Sequence, residues 1–166
     1  MSDGINGSRI PLILDALFAA AQAYPGLTGV NITDSVPETL NSGDYVAIGV
    51  DDWELDKPAD SANSTMTWSD TMAGGNSDEA GAITIVAWSN AGGTGQVKVV
   101  RDKVFAIHSA FKALIIAALA AAQSDALGVP GLWDIRVGGV DGFNQASNAN
   151  GATAVLRFSI PFRAVI

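Results

Sequence analysis

The stretch AITIVAW, residues 82–88, is apolar on both faces of an extended chain, which is typical of a strand in the middle of a sheet. Residues 45–50, YVAIGV, form a second β-branched run and predict another buried strand. The last residues, 152–166, alternate between apolar and polar positions, with Arg157 and Arg163 on the solvent side. These three segments predict a sheet with residues 82–88 at its centre.

Apolar side chains recur at intervals of three and four residues in residues 9–23 and 97–122, and this spacing predicts two amphipathic helices. Pro11 lies near the start of the first helix, and the sequence YPG at residues 24–26 stops it. A glycine-rich connection precedes the second helix, with Thr94 as its expected N-cap, and LGVPG at residues 127–131 marks its end.

Two further segments predict strands, residues 65–69 and residues 132–140. The turn-rich stretches 72–78 and 89–93 predict loops, and residues 141–151 predict the loop of a hairpin that joins the last two strands. Since the strands are segregated from the helices, we expect an α+β fold. Its mostly antiparallel or mixed sheet of about five strands carries two principal helices on one face.

The composition describes one globular domain. The chain has 166 residues, 48% of them hydrophobic, so residues 1–166 can form a single core, with residues 1–8 expected as a flexible N-terminus. Cysteine is absent from the sequence, which excludes disulfides, thiolate metal sites and a cysteine nucleophile. Residues 10–23 imitate a signal peptide, but Asp3 and Asp15 argue against one. The apolar run 113–122 is too short to span a bilayer, so no membrane partner is expected.

Charge is distributed unevenly along the chain, whose net charge is −8. Residues 1–79 carry 13 acidic residues against Arg9 and Lys57, a net −11, whereas residues 80–166 carry 4 acidic and 7 basic residues, a net +3. The overall charge disfavours binding to nucleic acid or to an anionic membrane. The asymmetry is suited to matching one copy of the chain to the next, and the alternative is that acidic solvated loops cluster early in the sequence.

Candidate sites for chemistry are weak. His108 is the only histidine and lies on the apolar second helix, which favours a packed or rim position over catalysis. The acidic stretch 51–60 lacks the spacing of a calcium-binding loop, and AGGTGQVK at residues 91–98 lacks the pattern of a phosphate-binding loop. The sequence therefore predicts no enzyme, with no catalytic, cofactor-binding or metal-binding residues and no cofactor.

The order of elements resembles the tail-terminator proteins of long-tailed bacteriophages, the siphophage family that includes proteins like minor tail protein U. The resemblance runs from residue 10 to residue 166. It covers an N-terminal helix, then GDYVAIGVDDW (43–53), WSDTM (68–72), DEAGAITIVAWSN (78–90), a long helix from residue 97, LGVPGLWDIRV (127–137) and GATAVLRFSIPFRAVI (151–166). The pieces that carry most of it are Glu79, Thr84, Arg101, Phe105 and the strand GATAVLRF. The acidic segment 51–64 is longer than the family pattern.

The resemblance implies a structural virion protein. Such a protein forms a homohexameric ring on the head-proximal end of the tail tube, stops tube growth and provides the joint to the head connector or stopper protein. DNA passes through the ring without specific binding, and the protein is assembled in the cytoplasm of the host bacterium. Its implied partners are therefore further copies of itself, the tail tube protein and the connector.

The expected partner-binding residues follow from charge. Acidic residues of the front half face basic residues of the back half on a neighbour, or a basic surface of the tube or connector. The residues assigned to this contact are Asp51, Asp52, Glu54, Asp56, Lys98, Arg101 and Lys103. Two alternatives stay open: another tail or neck component, such as a tube or head-closure subunit, and a ligand-binding or enzymatic domain.

Overall fold

A computed structural model describes residues 7–34, 42–50, 62–68, 77–122 and 125–166. Its helices are α1 (Ile10–Ala23) and α2 (Val97–Ala121), with short 3₁₀ turns at Pro25–Leu27 and Ala126–Gly128. Its strands are β1 (Val30–Thr33), β2 (Gly43–Ile48), β3 (Ala62–Trp68), β4 (Ser77–Gly92), β5 (Leu132–Ile135), β6 (Val140–Asn148) and β7 (Gly151–Val165).

The two longest strands, β4 and β7, form the centre of the sheet. They pair antiparallel along their whole length, from Asp78 opposite Val165 to Gly92 opposite Gly151. The edge of β4 that faces away from β7 pairs with β3 along the first half of β4 and with β2 along the second half, and β1 lies parallel to β2. The edge of β7 that faces away from β4 pairs with β6 and then with β5. The central position predicted for residues 82–88 is confirmed.

Both helices pack on one face of this sheet, and the predicted α+β class is confirmed. The residues of β4 and β7 that point to the helices alternate with residues that point away, as the period of two in a strand requires. Six side chains of α2 are buried against the sheet. The helix-covered core includes Ile13, Leu17, Ile83, Ile85, Val100, Val104, Phe111, Leu156, Phe158 and Ile160.

A smaller apolar cluster lies on the opposite face, around Trp88. The Tyr45 and Trp88 rings stack with their centroids 5.3 Å apart. Ala47, Val86 and Val155 complete this cluster together with Val50. Residues 82–88 are apolar on both faces because each face of β4 contributes to a separate cluster.

The helices begin and end for local reasons. Pro11 occupies the first turn of α1, where a missing N–H costs nothing, and Tyr24 leaves the helical conformation and caps it, as predicted. The expected N-cap of α2 is wrong, because Gln96 precedes the helix and no side chain caps it, while Thr94 lies in the turn before. The helix also ends at Ala121, several residues before the LGVPG signal.

Several predicted strand boundaries are wrong. The predicted loop 141–151 is mostly the strand β6, which forms a tight hairpin with β7, and β5 ends at Ile135 instead of residue 140. β4 continues through the predicted loop at 89–92 and already includes Ser77 and Asp78, while residues 72–76 lie outside the described part of the chain. β1, Val30–Thr33, was not predicted. These segments are polar because they lie at edges or ends of the sheet, and a polar strand lacks the hydrophobic pattern on which the prediction depends.

Glu79 attaches the start of α1 to the sheet. Its side chain is fully buried on the helix-covered face of β4 and accepts hydrogen bonds from Ser8 Oγ and from the backbone N–H of Arg9, both at 2.6 Å. A carboxylate at the N-terminus of a helix is stabilised by the helix dipole and by free backbone N–H groups. The contact spans about 70 residues of sequence and fixes where α1 begins.

We expect the Glu79→Ala substitution to lower the free energy of unfolding by about 1–3 kcal/mol, because the Ser8 hydroxyl and the Arg9 N–H lose their acceptor. Urea denaturation measures this loss, and hydrogen exchange should show faster exchange at Ile13, whose N–H makes the first intrahelical bond to Arg9.

The matched control is Asp78→Ala, since Asp78 is the neighbouring acid on β4 but is exposed. Equal unfolding midpoints for the two variants would show that Glu79 does not anchor the helix.

Candidate functional site

The first turns of α2 bring together the three basic residues that were assigned to a partner contact. Lys98 forms an ion pair with Asp102 one turn later, and Arg101 Nε lies 3.8 Å from the same carboxylate. The hydrogen bond from Lys98, together with the nearby Arg101, holds the pKa of Asp102 below its usual value. The Lys98 and Arg101 side chains stay 74% and 41% exposed, so both are available to a partner.

Lys103 is engaged with the protein's own sheet. Its ammonium lies 3.1 Å from Asp44 on β2, and the other oxygen of Asp44 accepts a 2.6 Å hydrogen bond from buried Ser89 on β4. This chain of contacts links α2 to two strands, so Lys103 contributes to internal structure as well as to surface charge. The acidic residues of the predicted contact, Asp51, Asp52, Glu54 and Asp56, lie outside the described residues.

His108 is a packed residue, as predicted. Its ring meets the edge of Phe158 with centroids 4.9 Å apart, and Nε2 lies 3.2 Å from the carbonyl oxygen of Gly138. These contacts fill the space between α2 and the sheet.

Phe105, which carries part of the family resemblance, joins α2 to β6. Its ring lies 5.3 Å from the ring of Phe143, and 38% of Phe105 remains exposed. The sequence interpretation placed Phe143 in a loop and therefore missed this pair. Residues 140–148 are mostly polar and show no regular alternation, so the sequence carries no signal that would have indicated a strand there.

The second half of α2 exposes apolar side chains. Beyond Lys112 its solvent face consists of alanines with Ile116, which is 59% exposed, and Leu119, which is 37% exposed. In the described part of the chain, α2 is the one helix long and apolar enough to cross a membrane by length and composition. Its other face packs in the core, as the core helix of a globular protein does.

Several hollows lie on the described surface. One, about 440 Å³, lies beside the β6–β7 turn and is lined by Ser, Asn, Thr, Ala and Gly residues without a titratable side chain. A second, about 280 Å³, contains Asp15 and Asp34 with apolar neighbours. Among the residues that the structure describes, no group of three or more His, Asp or Glu side chains could hold a metal ion.

No protein-family model matches the chain, and no curated protein matches it.

Proposed function

We propose that this chain is a structural virion protein that forms a ring on the head-proximal end of a phage tail tube. In this role it ends tube polymerisation and provides the joint to the head connector. The proposal rests on the sequence resemblance to tail terminators, and the surface of α2 supports it.

The observation that carries most weight is the composition of that surface. Exposed Lys98 and Arg101 lie at one end of α2, and exposed Ile116 and Leu119 lie at the other. Exposed apolar side chains are typical of a surface that contacts another protein, and exposed cations can match a partner's charge.

A ring is the assembly that suits the charge distribution. A head-to-tail contact joins two different surfaces of the same chain, and a negative front half and a positive back half complement each other in such a contact. The net charge of −8 also disfavours adhesion of DNA to the lumen of the ring. A channel through which DNA passes must not bind it tightly. The particle is assembled in the host cytoplasm, with the tube protein and the connector as its further partners.

Interrupting this gene in its genome of origin should yield overlong tails or tails without heads, because nothing would then stop the tube or join it to a head. Electron microscopy of the lysate measures both tail length and head attachment, and complementation with the intact gene is the control. Absence of tails would instead favour a tube subunit, and normal joined virions would exclude a role in the tail.

The Arg101→Glu variant should fail to restore normal tails while it folds normally, because Arg101 is exposed and its contact with Asp102 is long. Lys112→Glu is the matched control, since it makes the same change three turns further along α2. Normal tails with Arg101→Glu would remove Arg101 from the contact.

A further inference from the structure

Two edge strands lie at diagonally opposite corners of the sheet. In the described part of the chain β3 pairs only with the first half of β4, and β6 pairs only with the first half of β7. Since β4 and β7 are antiparallel, these two halves lie at opposite ends of the central ribbon. Besides the four-residue edge strands β1 and β5, each copy therefore offers one longer unpaired backbone edge on either side of the described sheet.

Neither edge carries the usual protection against pairing. Natural edge strands avoid association by means of charged residues, proline or bulges. β3 has the sequence ANSTMTW, without charge or proline. β6 has a charge and a bulge only at its start, and its remaining residues, 143–148, read FNQASN. Residues 63–67 and 144–148 are all exposed.

We propose that β6 of one copy pairs with β3 of the next copy, so that the sheet continues across the subunit boundary. This inference rests on the proposed ring, because it names the contact that builds it. The occupant of each edge is a second copy of this chain, since the same chain supplies two uncharged edges of similar length, seven and nine residues.

The strand directions agree with this pairing. β3 runs opposite to β4, whereas β6 runs opposite to β7 and hence in the same direction as β4. When the next copy continues the sheet with its helices on the same side, its β3 is antiparallel to β6. The contact is then an ordinary antiparallel ladder.

The alternation of side chains fixes the register. Ala62, Ser64 and Met66 lie on the helix-covered side of β3, because they oppose residues of β4 that point to the helices. Phe143 and Gln145 lie on the same side of β6. If equal faces must match and Ala62–Thr67 pair with the regular part of β6 after its bulge, residues 142–148, one register remains, with Met66 opposite Phe143, Ser64 opposite Gln145 and Ala62 opposite Ser147.

This register matches the side chains on each face. Met66 is 47% exposed in the single chain, and in the ladder it meets Phe143 and the half-exposed Phe105 beside it. A methionine against aromatic rings buries apolar area and makes a favourable sulfur contact. On the other face Thr65 meets Asn144, a polar pair of similar size.

The diagonal placement also constrains the geometry of the ring. Within one copy, Asn144 lies opposite Val155, which lies opposite Trp88. In the next copy, Thr65 lies opposite Ala80. Since Thr65 of the next copy pairs with Asn144, Ala80 of that copy lies at the level of Trp88. Each copy is thus displaced by eight residues, about 27 Å, along the strands. A closed ring can contain this displacement between neighbours if its strands are tilted relative to the ring axis, as the strands of β-barrels are. Without the tilt the same contact would build an open filament.

Engineered disulfides test the contact, and the chain has no cysteine of its own to interfere. In the Ser64→Cys/Gln145→Cys double variant, oxidation should link each copy to two neighbours and give a ladder of covalent multimers on a non-reducing gel. Each single variant should stay monomeric, because the contact joins two different edges. Ser64→Cys/Ala146→Cys is the matched control, since its cysteines lie on opposite faces and should not cross-link.

These variants are to be oxidised both as concentrated purified protein and in lysates that contain assembled tails. A ladder from the double variant in either sample supports the edge contact. Covalent dimers from a single variant would indicate a two-fold pairing of identical edges and overturn it. Absence of a ladder in both samples, or an equal ladder from the control, would overturn it as well.

A second pair of variants tests the side chains. Met66→Gln should weaken ring formation, as measured by native mass spectrometry and complementation, because it replaces the apolar contact with Phe143 by an amide. Thr65→Gln, one residue away on the polar face, should leave ring formation and complementation unchanged, and equal loss in the two variants would overturn the register. A ladder together with normal tails in the gene-disrupted phage would refute the proposed function but not the edge contact.

Discussion

The antiparallel pairing of β4 with β7 is the constraint on which the rest of the structure depends. It runs without a register shift from Asp78 opposite Val165 to Gly92 opposite Gly151. The other strands of the described sheet attach, directly or through β2, to one of these two, and both helices cover one face of the ribbon they form. Glycine permits the close approaches within it. A Cβ at Gly81 would lie 2.1 Å from the backbone oxygen of Asn63, so β3 can pair with β4 there only because the side chain is missing.

Much of this architecture could be predicted from local sequence patterns. The features that could not be predicted depend on contacts between segments distant in sequence. Residues 82–88 and the spacing in α1 and α2 predicted a central strand and two helices, because burial on both faces or on one face leaves a periodic pattern. β6 escaped prediction because an edge strand with exposed faces has no such pattern. The spacing also placed Lys98, Arg101 and Lys103 on α2, where the structure has them, and their role in a partner contact stays a prediction. That Lys103 would bind Asp44, and Glu79 would hold Ser8 and Arg9, depends on segments distant in sequence.

The sheet separates internal stability from contact with other molecules. Its helix-covered face contains the large core, and the fully buried Glu79 is satisfied there by two donors. The corners of the sheet, by contrast, expose backbone edges with Met66 on β3 and Phe105 beside β6. A ladder at these corners leaves the core unchanged, because it uses groups that the single chain does not need. Assembly by this route requires no refolding of either copy.

Backbone pairing at an edge is strong but not selective, so the proposed contact needs a source of specificity. An exposed edge without charge would pair with any extended chain, and two matching faces and a seven-residue length restrict that choice. The net charge of −8 adds a second restriction, because free copies repel one another at long range. Matching faces, a defined strand length and long-range repulsion between free copies together favour head-to-tail assembly over indiscriminate aggregation.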